Sequence, residues 1–155
     1  GRQGDCPLKP VNYKIVPLRE RHLQDLSEID AASHAPWSKE GFKSELTNAV
    51  ATYFVAEPED KKAIGYIGYW WSFTEVQITF LAVHPNCRRQ GIAEHLVRYA
   101  ADKCRKIDVQ TMQLAVRRGN GAAIALYEKL GFVKVGVRPK YYGGVEDAIL
   151  MDLSL

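Results

Sequence analysis

Cysteine is scarce: Cys6, Cys87 and Cys104 are the three in 155 residues. An odd number without paired ligand spacing indicates neither a disulfide framework nor a zinc site, so no metal is expected and the compartment reads as reducing. Long apolar runs are missing as well. Nothing in the chain is suited to span a bilayer, and the opening Gly1 Arg2 Gln3 Gly4 Asp5 lacks the apolar core of a signal peptide. The expectation is a soluble, cytoplasmic protein with no membrane partner. Blocks of one charge are absent too, since 21 Lys and Arg against 18 Asp and Glu leave a net charge of +3 and a pI near 8.7. That balance favours small anionic ligands, while the dispersal of the basic residues argues against a nucleic-acid module. There are no repeats, low-complexity tracts or linkers. A chain with 46% hydrophobic residues suits one core, read here as a single domain over residues 11–155 behind a lead-in of residues 1–10.

What is present concentrates in one stretch, Phe80 Leu81 Ala82 Val83 His84 Pro85 Asn86 Cys87 Arg88 Arg89 Gln90 Gly91 Ile92 Ala93 Glu94 His95 Leu96. An apolar run suited to a buried strand ends at His84 and Pro85, and a basic turn then leads through Gly91 into an amphipathic helix. A helix that starts on such a loop presents free backbone N–H groups and the positive end of its dipole, which together favour a phosphate. A side chain at Gly91 would restrict the turn and hold the backbone away from the anion. Arg88 and Arg89 add charge from the rim. The alternative is an ordinary basic loop ahead of a surface helix, with Cys87 an inert loop cysteine.

In chain order, residues 13–18 alternate and contain Pro17, which predicts a first strand near a sheet edge. Leu23, Leu26 and Ile29 then mark a helix over residues 20–30, which residues 31–36 break. Ser38 caps a second short helix carrying Phe42 and Leu46 on one face. Residues 52–57, 63–73 and 75–83 read as three strands of an antiparallel meander. The helix after Gly91 places Ile92, Leu96, Ala100 and Cys104 on one face, and residues 111–116 form the next strand; strand, helix, strand makes the flanking strands parallel. A helix over residues 120–130 stops at Gly131. Residues 133–137 and 148–153 complete the strands, with a turn-rich loop over residues 138–147 between them. His22 and His34 read as exposed, and His84 as facing the basic loop. One mixed α/β domain fits this order.

Arg88 Arg89 Gln90 Gly91 Ile92 Ala93 resembles the Q/R-x-x-G-x-G/A signature of the GCN5-related N-acetyltransferases, which cradles the pyrophosphate of acetyl-CoA. Its place between an apolar strand and a helix is the context such a motif requires. Asn120 Gly121 Ala122 Ala123 Ile124 Ala125 Leu126 Tyr127 Glu128 Lys129 Leu130 Gly131 Phe132 is similar to the family's N-x-x-A-x-x-L-Y-x-x-x-G-F signature. The resemblance implies a mixed central sheet, an antiparallel meander followed by a parallel pair, with helices on both faces. It also implies acetyl-CoA as co-substrate and direct attack by an amine in a ternary complex. The backbone at Leu81, Ala82 and Val83 would bind pantetheine and the thioester carbonyl, and residues 88–93 the pyrophosphate. Asn120 would contact the pantetheine arm, and Tyr127 would protonate the leaving thiolate; the alternative for Tyr127 is a packed core aromatic.

Two further stretches, His34 Ala35 Pro36 Trp37 Ser38 with Phe42, and Arg138 with Tyr141 Tyr142 and Glu146 Asp147 Ala148 Ile149 Leu150 Met151, look like the ribosomal-protein-alanine N-acetyltransferases of the RimI type. This implies a protein N-terminus, that of a ribosomal protein, as acceptor, with Trp37, Tyr141 and Tyr142 facing it. Trp37 could equally staple the second helix, the tyrosines could pack the last strand, and Asp147 could cap a turn. The chain departs from the family where a catalytic glutamate is usual: Ala115 stands there, and alanine takes no proton. A protein α-amine, with pKa about 7.7–8.0, is roughly one-tenth neutral at pH 7 and tolerates the loss far better than a lysine at about 10.4. Glu75 is the candidate replacement base, or else a surface residue at a hairpin turn. The rival readings are an acetyltransferase for a small amine or amino acid, and a catalytically silent acetyl-CoA-binding module.

Overall fold

The computed structural model describes residues 12–30 and 37–155; the expected lead-in at residues 1–10, the break at residues 31–36 and His34 lie outside them. The strands are β1 (Tyr13–Pro17), β2 (Ala51–Pro58), β3 (Gly65–Ser72), β4 (Glu75–Val83), β5 (Thr111–Arg117), β6 (Val133–Tyr142) and β7 (Glu146–Ser154), and the helices are α1 (Leu23–Asp30), α2 (Lys39–Glu45), α3 (Ile92–Arg105) and α4 (Gly121–Lys129). All the strands lie in one sheet of order β1-β2-β3-β4-β5-β7-β6. β1 through β4 form the antiparallel half, β5 runs parallel to β4, and β7 inserts antiparallel between β5 and β6. The mixed sheet and its one parallel pair match the expectation from sequence; the insertion of β7 was not legible there.

Alternation along β2 separates two cores. Phe54 and Ala56 pack with Leu96, Val97, Ala100 and Cys104 of α3, whereas Tyr53 and Val55 pack with Leu23 and Leu26 of α1 and Phe42 of α2. Successive strand residues point to opposite faces, so helices cover both. The apolar spacing of each helix is what buries it: Leu23, Leu26 and Phe42 are fully buried, each contributing about 1.5–3 kcal/mol of transfer free energy. The helix boundaries also follow their residues. Ser38 caps α2 by accepting from the Gly41 amide at 3.1 Å, Asn120 caps α4 by accepting from the Ala123 amide at 3.1 Å, and Gly131 ends α4 in the left-handed region at φ 101.

Two local readings are corrected. His22 is fully buried rather than exposed. A 3-10 turn (Glu20–His22) rolls it beneath β2, where its Nδ1 accepts from the Arg19 amide at 2.9 Å and its Nε2 donates to Glu57. Burial works against the Glu57 carboxylate, but hydrogen bonds from His22 and Arg21 outweigh it and hold the group below the usual carboxylate range. The loop expected over residues 138–147 is mostly strand. β6 and β7 continue to a tight turn, with Arg138 opposite Ala148 and Tyr142 opposite Glu146. Pro139 does not stop β6 because β6 is an edge strand and owes no donor on its outer side. Asp147 accepts from the Lys140 amide at 2.9 Å and so holds the irregular part of the hairpin.

A bulge decides where the site lies. Gly68 pairs with Phe80 but Tyr69 pairs with Ile78, so Thr79 is extra on β4. Before it Val76 and Ile78 face α3; after it Leu81 and Val83 do, and Phe80 and Ala82 turn towards α1 and α2. Gly68 accommodates this region, since a Cβ there would lie 2.4 Å from the Tyr53 ring. Gly68→Ala is therefore expected to cost about 1–3 kcal/mol by overpacking. In a thermal melt the midpoint should fall by roughly 2–4 °C per kcal/mol.

Candidate functional site

The pairing of β4 with β5 runs only from Glu75 opposite Thr111 to Gln77 opposite Gln113. Both strands continue, to Val83 and Arg117, so they part and leave a gap at their carboxyl ends. A cleft of about 680 Å³ opens there, walled by Leu81, Ala82 and Val83 of β4, by Arg88, Arg89, Gly91, Ile92 and Ala93 of the loop and α3, and by Asn120, Ala123 and Tyr127 of α4. The sequence-predicted cofactor residues thus meet in one cavity, with one exception. Gln90 is half-buried and does not line it.

The loop is built for an anion. Arg89 at φ 65 and Gly91 at φ 75 are both left-handed, and Gly91 is the residue from which α3 starts. A Cβ at Gly91 would meet nothing within 4 Å, so glycine is needed there for its φ and for the open space in front of the backbone, not for packing. The first amides of α3 and its dipole point into that space. Arg88 extends over the strand end, its Nε donating to the Val83 carbonyl at 3.4 Å. Glu94 would oppose an anion but is paired with Lys129 at 2.7 Å and Arg98 at 3.4 Å. His84 faces this loop as expected, its Nδ1 accepting from the Asn86 amide at 3.1 Å. Cys87 is buried, as is Cys104. These features fit a diphosphate ester: an open cradle, backbone donors and flanking guanidinium groups.

Tyr127 projects from α4 with 9% of its surface exposed, its ring 5.6 Å from that of Phe132. Burial pushes its phenol up to about 12, with the neighbouring Tyr142 adding to the effect. A phenol so placed stays protonated at every ordinary pH. Asn120 has spent its side-chain oxygen on the α4 cap, which leaves its amide nitrogen as the group to donate into the cleft.

Across the cleft, the face of the sheet carrying Phe80 and Ala82 is walled by aromatics. Trp37 lies edge-on against Phe80 at 4.7 Å and tilted against Phe42 at 5.7 Å, and its amide donates to the buried Asp30 carboxylate at 2.6 Å. Trp37 is thus both the staple of the α1–α2 connection and a neighbour of the β4 wall. Tyr141 and Tyr142 stack edge to face at 5.1 Å at the hairpin end, Tyr141 half exposed. Ala115 sits opposite Leu150 on β5. Met112, Leu114 and Val116 point into the core under α3, so by alternation Ala115 points to the opposite face. Glu75 is not brought to the cleft: it pairs with Ser72 and Thr111 at the far end of β4, roughly 20 Å along the strand from Leu81 at ~3.3 Å per residue. Sequence reasoning missed Phe80 and the buried carboxylates Asp30 and Glu45 behind it. Glu45 accepts from the Tyr53 hydroxyl and the Trp70 indole, each at 2.8 Å. The bulge hid Phe80 from any count of alternate residues, and only Gly68 across from it was a hint.

The family model described as acetyltransferase (GNAT) family matches residues 21–132. The chain belongs to that family. This GNAT chain is 38% identical over 144 residues to a candidate [ribosomal protein bS18]-alanine N-acetyltransferase of Bacillus subtilis, covering 89% of this chain and 95% of that protein. It is 34% identical to the [ribosomal protein bS18]-alanine N-acetyltransferase of Escherichia coli K12, covering 91% and 97%. The crystal structure of the ribosomal-protein-S18-alanine N-acetyltransferase from Escherichia coli superposes with a TM-score of 0.83 at 33% identity, covering 92% of this chain and 94% of that one. The GNAT chain is therefore an N-acetyltransferase with the GNAT fold, resembling the RimI type. Among the described residues no helix is long and apolar enough to cross a membrane, and no cluster of side chains could hold a metal.

Proposed function

We propose that this GNAT chain transfers the acetyl group of acetyl-CoA to the α-amine of a protein N-terminus, with an alanine-initiated ribosomal protein as the preferred acceptor. The observation that carries the reading is the cleft between parted β4 and β5, flanked on one side by an anion loop and on the other by an aromatic wall. The named relatives act on ribosomal protein bS18, and Ala115 in the base position favours an amine that is partly neutral on its own. The scarcity of cysteine accords with a cytoplasmic location.

Bound acetyl-CoA would supply the thioester-activated acetyl group. Amides at the start of α3 with Arg88 and Arg89 hold the pyrophosphate, while the β4 backbone at Leu81, Ala82 and Val83 and the Asn120 amide hold the pantetheine arm. Tyr127 gives its phenolic proton to the leaving sulfur. Trp37, Tyr141 and Tyr142 wall the acceptor slot; the amine attacks in its neutral form, its nitrogen bonding to the acetyl carbon as the C–S bond breaks, and the proton it then sheds passes through solvent to restore the phenol of Tyr127. Gly91→Val fills the cradle with a branched side chain at a left-handed φ. It is expected to weaken CoA binding by about 10-fold or more, equal to ~1.4 kcal/mol, in a calorimetric titration.

Thiol release from acetyl-CoA with peptides differing at their first residue tests the acceptor. Release should require a free α-amine and favour alanine or a similarly small residue. Release only with small free amines would replace this reading with a small-amine acetyltransferase, and acetyl-CoA binding without release would make the chain a silent module.

A further inference from the structure

One carboxylate of the tyrosine hairpin has no part in the acyl transfer itself. Glu146 opens β7 directly opposite Tyr142 of β6. Its Oε1 accepts from Arg117 Nη1 at 2.9 Å, and its Oε2 accepts from the Gly119 amide at 3.0 Å. The Arg117 guanidinium in turn lies over the Tyr142 ring, 4.2 Å from its centroid. Gly119 is fitted to this contact, since a Cβ there would stand 2.8 Å from Oε2. One carboxylate therefore ties three pieces together: the end of β5, the turn that leads to Asn120 and α4, and the tyrosine hairpin.

We propose that Glu146 is a positioning residue for the acceptor, holding Tyr142 against the Tyr127 side of the cleft through Arg117 and the Gly119 turn. The inference rests on the N-terminal acceptor reading and deepens it. The charge-assisted pair supplies direction as well as attraction, because a guanidinium held by a carboxylate presents a fixed plane to the ring above it. The ring is half-buried, and burial raises its phenol, so it stays neutral and acts as a wall and a hydrogen-bond partner rather than a base. The carboxylate is itself occupied by Arg117 and Gly119 and does not replace the proton acceptor missing at Ala115. What Glu146 contributes is the height of the slot between the hairpin and α4, and thus the fit of an amine that must approach in line. The backbone reinforces the tie, with the Arg118 amide donating to the Asp147 carbonyl at 3.0 Å.

The test compares two ligands by calorimetry: CoA alone, and a CoA conjugate whose sulfur is joined through an acetyl linker to the α-nitrogen of an alanine-initiated peptide. The affinity advantage of the conjugate over CoA isolates the acceptor slot. In Glu146→Ala that advantage should fall by about 10-fold or more while CoA affinity stays within about 3-fold. Glu146→Gln keeps an oxygen for Gly119 but loses the ion pair, and should fall between the alanine variant and wild type. Glu146→Ala combined with Tyr142→Leu should be no weaker than Tyr142→Leu alone, since both break one path. An advantage unchanged within about 2-fold in Glu146→Ala, or a parallel loss of CoA and conjugate, would overturn the proposal. A wild type that gains nothing from the peptide conjugate contradicts the N-terminal reading instead; the same ratio is then measured with the CoA conjugate of the small amine it acetylates, and Glu146 is judged on it by the same criteria. A wild type that acetylates neither kind of amine overturns both.

Discussion

Tyr127→Phe is expected to lower kcat for peptide acetylation by about 10²–10⁴-fold, the contribution of a positioned general acid, with CoA affinity unchanged. The ring keeps its packing on Phe132 in the variant, so the change removes a proton and little else. The phenol is buried on the cleft wall, and burial pushes its pKa up to about 12. It is therefore protonated across the working range, and no descending limb from this group should enter the pH profile below about pH 11. Stopped-time thiol release together with a CoA titration separates the two effects. A variant with wild-type kcat would leave Tyr127 as a packed core aromatic and nothing more.

Ala115→Glu is expected to act in the opposite direction. Wild type has no carboxylate at this point of β5, so the neutral fraction of the acceptor should govern kcat/KM, rising with pH until the amine titrates at about 7.7–8.0. A glutamate there would face the same side of the sheet as the acceptor wall and take the proton within the complex. The gain at pH 6.5 should be about 10-fold or more, within the ~10²–10⁴ that positioned bases supply, and the rising limb should move to lower pH. The measurement is kcat/KM for an alanine-initiated peptide from pH 6 to 9. A pH profile identical to wild type would show that residue 115 does not see the amine.

How far the sequence could be read depended on whether the determinants were contiguous. The anion loop was legible because strand, basic turn, Gly91 and helix follow one another in the chain, and the same holds for the α4 segment from Asn120 to Gly131. The parallel pairing of β4 and β5 followed from the helix between them. Features set by distant partners were not legible. His22 looked exposed because its partner Glu57 is on β2, 35 positions away. Residues 138–147 looked like a loop because Pro139, Gly143 and Gly144 are turn formers by local rule; the two glycines do make the turn, while an edge strand tolerates Pro139. Glu75 lies apart from the cleft because β4 and β5 part only beyond Gln77, towards the other end of β4. The bulge at Thr79 reversed which residues face α1 and α2, and no residue type announces such a bulge from its own strand. The tie between Arg117 and Glu146 joins strands whose adjacency came only from the insertion of β7.

The amine we propose to be acetylated is a polypeptide's own terminus. One peptide tests it directly, carrying a free N-terminal alanine and an internal lysine, incubated with wild-type protein and acetyl-CoA and mapped by tandem mass spectrometry. The expected result is a single added acetyl group on the alanine nitrogen, lost entirely when that nitrogen is blocked beforehand. Acetyl on the lysine, or none on either amine while the protein binds acetyl-CoA, would contradict it.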